Sequence, residues 1–506
     1  MNNSLILLKN IGLISEMFFC MSLIYLILFG SVLSTHKKYP ILQKIILNLS
    51  ILILFLYILL NLNNNLSVTG NLLFNFTIID DYLSFFSKIF ITSFCLICLL
   101  VIKNYIKDQK LNQFEYSIII MISILGFFLL CSSNDFITAY LAIELQSLAF
   151  YIMAAFKKDS FFSVEAGLKY FILGSFSSAL LLFGFSLIYG LTGTLNLTDL
   201  KDLFFFLYPN ANVTVETSVN TELLQVALFF LLTSLLFKLS VAPLHVWSPD
   251  VYENSPTSST IFFAVISKLS LLVFTARIFQ FSFHGLIYNW RYLLLLLAVL
   301  SVIIGSFTAI SQKKLKSLLT YSSVSHIGYL LISFSSGTFE GIQNLLAYIF
   351  IYMLAGLCIW SIFLVLRLKT FYIKKKNKDL TDMSLLIKMN SGLALCFSIV
   401  LFSIAGFPPL VGFFTKMNIF LTSIESFMYF AAIVAILASV VSTFYYIRVI
   451  KILYFEEVIV GNLYYSLNYI EPFIVTSTFF CFMFFFIDPT YLYLISYKIG
   501  LLFYFF

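Results

Sequence analysis

Along this chain apolar residues do not alternate with polar ones at the strand period or recur at the period of a surface helix; they run on. Stretches of about 20 residues or more, almost free of charge, follow one another from end to end with short polar connections between them. In hydrocarbon such a stretch must satisfy its own backbone, as a helix or in a closed barrel, and barrel strands would be about 10 residues long and alternating. The pattern predicts an all-α polytopic membrane protein of roughly fourteen spans. They lie near residues 11–34, 45–62, 80–102, 116–133, 135–156, 168–192, 222–243, 257–281, 291–311, 317–335, 342–366, 391–418, 427–452 and 469–488. The pattern does not decide whether Tyr491 to Phe506 makes a further partial helix.

Composition agrees. Of 506 residues 61% are hydrophobic and 10% charged, with 60 Phe, and the mean hydropathy is +1.01; soluble domains carry about 25% charge. The longest polar connections, 193–221 and 367–390, are too short to house catalysis on a water-soluble substrate. Met1 to Asn10 holds only Lys9 as a charge and shows neither a small-residue cleavage site nor an Arg-rich presequence, so the first span is expected to be permanent. The bias toward Phe, Ile, Leu, Asn, Tyr and Lys resembles the product of an A+T-rich, organelle-type coding sequence. Cys95 and Cys98 form a C-x-x-C inside an apolar run with no partner pair, which reads as two small helix-facing residues. No metal site, disulfide framework or nucleic-acid-binding surface is indicated.

Charge placement orients the spans. Connections after spans 1, 3, 5, 9, 11 and 13, with the span ends beside them, hold most of the 30 Lys and Arg, including Lys37, Lys38, Lys44, Lys103, Lys107, Lys110, Lys157, Lys158, Lys169, Lys313, Lys314, Lys316, the cluster from Arg367 to Lys388, Arg448 and Lys451. Even-numbered connections hold Lys201, Arg277 and Arg291. By the positive-inside rule the odd connections face cytoplasm or mitochondrial matrix, and both termini lie on the opposite side. The run Lys374 to Lys378 reads as an orienting loop, with contact to anionic lipid or a partner as the alternative.

Four lysines remain inside apolar segments: Lys88, Lys238, Lys268 and Lys416. At the bilayer centre each costs about 2.5–3.5 kcal/mol. Pro243 follows Lys238 by five positions and frees backbone carbonyls, so this helix is expected to break beside the charge. Gly406, Pro408, Pro409 and Gly412 repeat the arrangement ahead of Lys416, which suggests two repeats of about five helices, since interrupted helices with buried charge are a common transporter build. Lys268 lies deep in the eighth span, whereas Lys88 is near enough to a span end to snorkel. Glu144 reads as the one clearly intramembrane glutamate and a natural counter-ion for a buried lysine. Such a pair is either structural or a switch: burial favours the neutral amine and a carboxylate favours the ammonium, so separating the two would release a proton. His245 is a proton relay between Lys238 and Lys268 or a loop histidine with a structural bond. His326 sits in a Ser-rich stretch that either holds water or packs helices.

Four segments carry a family resemblance: AIELQSLAFYIMAAFKKDSFFSVEAGLKYFILGSFSSALLLFG at Ala142–Gly184, FKLSVAPLHVWSPDVYENSPTSSTIFFAVISK at Phe237–Lys268, QKKLKSLLTYSSVSHIGYLL at Gln312–Leu331 and AGFPPLVGFFTK at Ala405–Lys416. The chain resembles the antiporter-like membrane subunits of respiratory complex I, NADH:ubiquinone oxidoreductase, in the branch called subunit 2 in mitochondria and chain N in bacteria; PDVYE after H-x-W distinguishes that branch. The resemblance spans about 130 to 450. Asn254, where the family usually has Gly, and Ser248, where it has Thr or Val, depart from the pattern.

The resemblance implies fourteen helices in two inverted five-helix repeats, with helices seven and twelve discontinuous. Residues 1–110 would form an N-terminal three-helix segment, 111–285 and 286–455 the two repeats, and 456–506 a C-terminal segment. It implies that Glu144 and Lys238 are the buried pair, Lys268 the central relay, Lys416 the terminal lysine, His245 an assistant and Lys169 a participant near the intake end. The expected function is proton translocation coupled to electron transfer from NADH to quinone in other subunits. This chain would bind no cofactor, with NADH, FMN, iron–sulfur clusters and ubiquinone in partner subunits. Expected partners are the sister antiporter-like subunits, small membrane subunits and lipids, cardiolipin among them, in the mitochondrial inner membrane or, alternatively, a bacterial plasma membrane. Competing readings are a stand-alone cation/proton antiporter and a structural scaffold of the complex.

Overall fold

The computed structural model describes residues 14–34, 39–63, 71–108, 113–207, 221–365, 379–456 and 470–505. Lys37, Lys38, Lys110 and the run Lys374 to Lys378 fall outside them. The described chain is mostly helical, with one two-stranded antiparallel hairpin, β1 (Asn71–Leu73) with β2 (Ile78–Asp80). Among the described residues ten helices are long and apolar enough to cross a membrane, and a further pair, Pro472–Phe485 and Thr490–Leu501, is bent by 78° between its halves. The protein is thus polytopic, and it divides into two compact units.

The first unit comprises 1–239 and 258–290. Its helices are α1 (Ile14–Ser34), α2 (Tyr39–Leu62), α3 (Tyr82–Asp108), α4 (Glu115–Ser132), α5 (Phe136–Ala155), α6 (Phe161–Thr192), α7 (Leu197–Leu207) and α8 (Thr221–Lys238). A further helix, α10 (Thr257–Ser282), follows a short helix of the second unit, α9 (Trp247–Asn254). Hydrocarbon supplies no driving force between apolar helices, so close approach and polar contacts must hold them. A methyl group at Gly126 of α4 would meet the Ala142 carbonyl of α5 at 3.0 Å, and one at Gly167 of α6 would meet Ala155 at 2.5 Å. Phe19, Tyr57 and Phe128 join α1, α2 and α4, with the Tyr57 and Phe128 rings stacked at 4.5 Å. At the start of α3 Asp81 accepts from the Ser84 N–H at 2.8 Å while Ser84 Oγ accepts from the Asp81 N–H at 3.0 Å, a reciprocal cap.

The second unit comprises 240–257 and 291–506. It holds α9, most of α11 (Ile287–Ser311), and α12 (Leu315–Ser335), α13 (Phe339–Val365), α14 (Ser391–Ala405), α15 (Val411–Glu425), α16 (Tyr429–Phe455), α17 (Ile470–Ile487) and α18 (Thr490–Phe505). Helix α13 is its centre, packing against α12, α14, α15, α17 and α18. Ten of the fourteen expected spans coincide with these helices and the last with the bent pair, whereas the helices found at the expected spans 222–243, 317–335 and 391–418 do not meet the same length and hydropathy test. The expected span 391–418 is two 15-residue helices, each about 22 Å long and too short to cross alone. Helix α6 begins at Phe161, seven residues before the expected start, because its polar residues are spaced singly among apolar ones. The stretch after Pro489 forms α18.

Gly412 opens α15 so close to α14 that a methyl group there would lie 1.9 Å from the Ser403 carbonyl oxygen. Gly412→Ala should therefore force the two half-helices apart and cost about 1–3 kcal/mol, read as a lower unfolding temperature of the purified protein.

Candidate functional site

Helix α8 ends at Lys238, where Leu239 to Val246 leave the helical path and Pro243 supplies no N–H. Facing it on α5 is Glu144: Lys238 Nζ lies 3.8 Å from Glu144 Oε1, with the side chains 9% and 23% exposed. Ser147, one turn on from Glu144, donates Oγ to the Glu144 carbonyl at 3.1 Å and approaches Oε2 at 3.4 Å. At that separation the carboxylate and the ammonium attract each other.

Lys268 sits on α10 at 2% exposure. The π-helical turn Phe262–Ile266 immediately precedes it; such turns carry an extra residue and re-aim the side chains that follow. Helix α10 packs against α3, α4 and α8, so Lys238 and Lys268 come from touching helices. Lys169 belongs to α6 rather than to a connection: it is 44% exposed and ion-pairs with Glu165 at 2.9 Å, one turn away.

In the second unit Lys416, 3% exposed, points from α15 back to the end of α14. Its Nζ donates to the Ala405 carbonyl at 2.9 Å and lies 5.4 Å from the centre of the Tyr329 ring. Gly406 closes α14 with φ +95, a conformation that glycine adopts without strain, and its single N–H is shared between the Phe402 and Ser403 carbonyls. The break leaves the Ala405 carbonyl for the ammonium, and the ring face adds a cation–π contact. His326 of α12 bridges two phenols, with Nδ1 2.7 Å from the Tyr348 hydroxyl and Nε2 3.2 Å from that of Tyr446. Ser322, Ser323 and Ser325 each donate back to their own helix's carbonyls at 2.7–2.9 Å. Half-buried in the turn before α9, His245 has its ring centre 6.1 Å from that of Tyr321, and its carbonyl accepts the N–H and Oγ of Ser248. Lys316 donates to the Ser255 carbonyl at 2.8 Å, and Lys314 pairs with Glu253.

Two features escape the sequence reading. Glu144 is not alone: Glu16, in the first turn of α1, is buried and pairs with Lys88 at 2.5 Å, so Lys88 does not snorkel. Arg277, expected at the end of the eighth span, is buried on α10 and donates to Asp81 at 2.9 Å and to the Cys131 carbonyl at 3.1 Å. A lone lysine in an apolar run demands a partner, and a search for one would have reached Glu16 in ISEMFFCM.

Buried ammonium and carboxylate groups at broken helices define an ion-handling membrane protein. Residues 133–442 match the family described as NADH:quinone oxidoreductase/Mrp antiporter, transmembrane. The chain is 39% identical over 493 residues to NADH-ubiquinone oxidoreductase chain 2 of Marchantia polymorpha, covering 97% of this chain and 98% of that one. To NADH-quinone oxidoreductase subunit N of Pelagibacter ubique it is 38% identical over 445 residues, 88% and 89% of the two chains. Its fold matches a chain of respiratory complex I from Thermus thermophilus with a TM-score of 0.75 at 24% identity, covering 94% and 98%. The chain therefore belongs to the NADH:quinone oxidoreductase/Mrp antiporter membrane family, in the branch called chain 2 in mitochondria and subunit N in bacteria.

His326→Phe keeps a planar ring but withdraws a partner from two buried phenols. It should lower stability by about 1–3 kcal/mol for each hydroxyl stranded, checked by thermal unfolding of the variant beside Tyr348→Phe and Tyr446→Phe.

Proposed function

We propose that this chain is a proton-translocating subunit in the membrane arm of a respiratory NADH:quinone oxidoreductase. The observation that carries the reading is the Glu144–Lys238 pair at the end of α8, 3.8 Å apart, in a chain of that family. Quinone reduction in partner subunits would change the field or packing at Glu144. Drawing the carboxylate away from Lys238 favours loss of the ammonium proton, because desolvation then acts without its counter-charge. Lys268 receives it as the central relay, with His245 assisting, and Lys416 is the terminal lysine. Lys169, exposed on α6, serves the intake end. Moving one charge through 100 mV takes about 2.3 kcal/mol, within reach of rearranging one buried pair.

The full architecture in this reading is fourteen helices: an N-terminal three-helix segment over 1–110, two inverted five-helix repeats over 111–285 and 286–455, with helices seven and twelve broken, and a C-terminal segment over 456–506. NADH, FMN, iron–sulfur clusters and ubiquinone belong to partner subunits. Neighbouring subunits are the sister antiporter-like chains and small membrane proteins, with lipids such as cardiolipin between them. The location is the mitochondrial inner membrane, with both termini on the side away from the matrix.

Two substitutions test the mechanism in the assembled complex. Lys238→Ala should abolish or strongly reduce protons pumped per electron. Lys238→Arg keeps the charge and the pair but cannot deprotonate, so it should pump as poorly as Lys238→Ala while assembling normally; full pumping by the arginine variant would mean that the pair is only structural. Sodium exchange by the purified chain alone in vesicles would favour the stand-alone antiporter instead.

A further inference from the structure

In the second unit the short helix after the break, α9, packs against α12, and the two run antiparallel with a polar contact at each end. At the outer end Glu253 pairs with Lys314, their side chains 24% and 42% exposed. At the inner end the His245 ring meets that of Tyr321, with centres 6.1 Å apart. Tyr321 follows Lys314 by seven residues, which is two turns and about 10 Å along one face of α12. Glu253 follows His245 by eight residues, most of them in α9. The two contacts therefore mark the ends of a strip of similar length on both helices.

The strip between them is polar. Ser317, one turn beyond Lys314, is buried and donates to the Lys314 carbonyl at 3.0 Å. On the α9 side Ser248 donates to the His245 carbonyl at 2.9 Å, and Asp250, one turn before Glu253, is exposed. Nδ1 of His245 is buried and has no hydrogen-bond partner among the described residues; a buried polar atom of that kind calls for water. With both termini away from the matrix, the connections after spans seven and nine, which carry Glu253 and Lys314, face it. The strip then leads from matrix water inward to His245. Its two carboxylates belong to PDVYE, the motif that marks the branch, and the pathway above uses neither.

We propose that Glu253 is the proton-entry residue of an intake that runs between α9 and α12 to His245. Its carboxylate takes a proton from hydronium at the mouth and becomes neutral, and Lys314, open to water, stays solvated. Water in the strip carries the proton to Tyr321, whose oxygen accepts it as the hydroxyl gives its own proton to His245. The ring becomes an imidazolium, and Glu253 returns to the carboxylate and pairs with Lys314 again. One proton enters, and only the imidazole ends with a changed charge. The inference rests on the proton-translocation reading and names the residues that fill its assisting histidine.

The test uses the assembled complex in vesicles, with native-gel assembly, NADH oxidation and protons pumped per electron measured together. Glu253→Gln should assemble, because the Lys314 ammonium it leaves is exposed enough for water to solvate. Both Glu253→Gln and Tyr321→Phe are expected to lose the same share of pumping per electron as Lys238→Ala. Glu253→Asp, which keeps a titratable group at the mouth, should pump as the parent does. Normal pumping by Glu253→Gln or by Tyr321→Phe, with Lys238→Ala deficient, overturns this intake alone, as does a loss in Glu253→Asp equal to that of Glu253→Gln. Should Glu253→Gln fail to assemble, Tyr321→Phe decides. Normal pumping by every variant, Lys238→Ala included, overturns the proton-translocation reading beneath it.

Discussion

Every polar atom that leaves water here must find its match inside the protein, and this constraint shapes the chain at two scales. For the backbone the match is the helix, which is why the described residues are almost entirely helical. Where a helix stops inside the apolar layer, carbonyls are released and something must bind them. For side chains the match is a partner charge or a released carbonyl. The two needs meet at the same places: α8 ends at Lys238, opposite Glu144, and α14 ends at Ala405, whose carbonyl takes Lys416. A carbonyl released by a break, or a charge buried without a partner, would be left unsatisfied at a cost of several kcal/mol.

The same rule separates polar residues that carry chemistry from those that only tolerate burial. Serines are abundant in α12, and those flanking His326 return their hydroxyl protons to carbonyls one turn back. The unsatisfied demand falls on His326, which cannot bond to its own helix in this way and reaches Tyr348 and Tyr446 on other helices.

Much of this was legible in the residue pattern, because length and continuity of apolar runs are local properties. The positions of the breaks were legible too, since Pro243 and the Gly406 to Gly412 stretch act on their own backbone. Glu144 and Lys238 each stood out as a lone charge in a long run, and the family resemblance made them partners. Glu16 could not be weighed the same way: it stands near a span end, where a glutamate can reach water, and only the packing of α1 on α3 buries it. Arg277 was hidden for the same reason. The extent of α6 was underestimated because Glu165 and Lys169 look like loop residues until they are seen to pair along one helix face. The amphipathic α7 lay in a stretch that hydropathy alone assigns to a connection.

The carbonyl that holds Lys416 belongs to the last turn of a helix, where the aligned peptide dipoles amount to roughly half an elementary charge of negative sign. Lys238 is balanced instead by the formal charge of Glu144. If each lysine gives up its proton, the first leaves an anion stranded in oil, whereas the second leaves only a neutral peptide end that was never more than partly charged. Deprotonation at α8 must therefore be linked to the arrival of some other cation or proton, while at α15 the amine can empty and refill without any companion event.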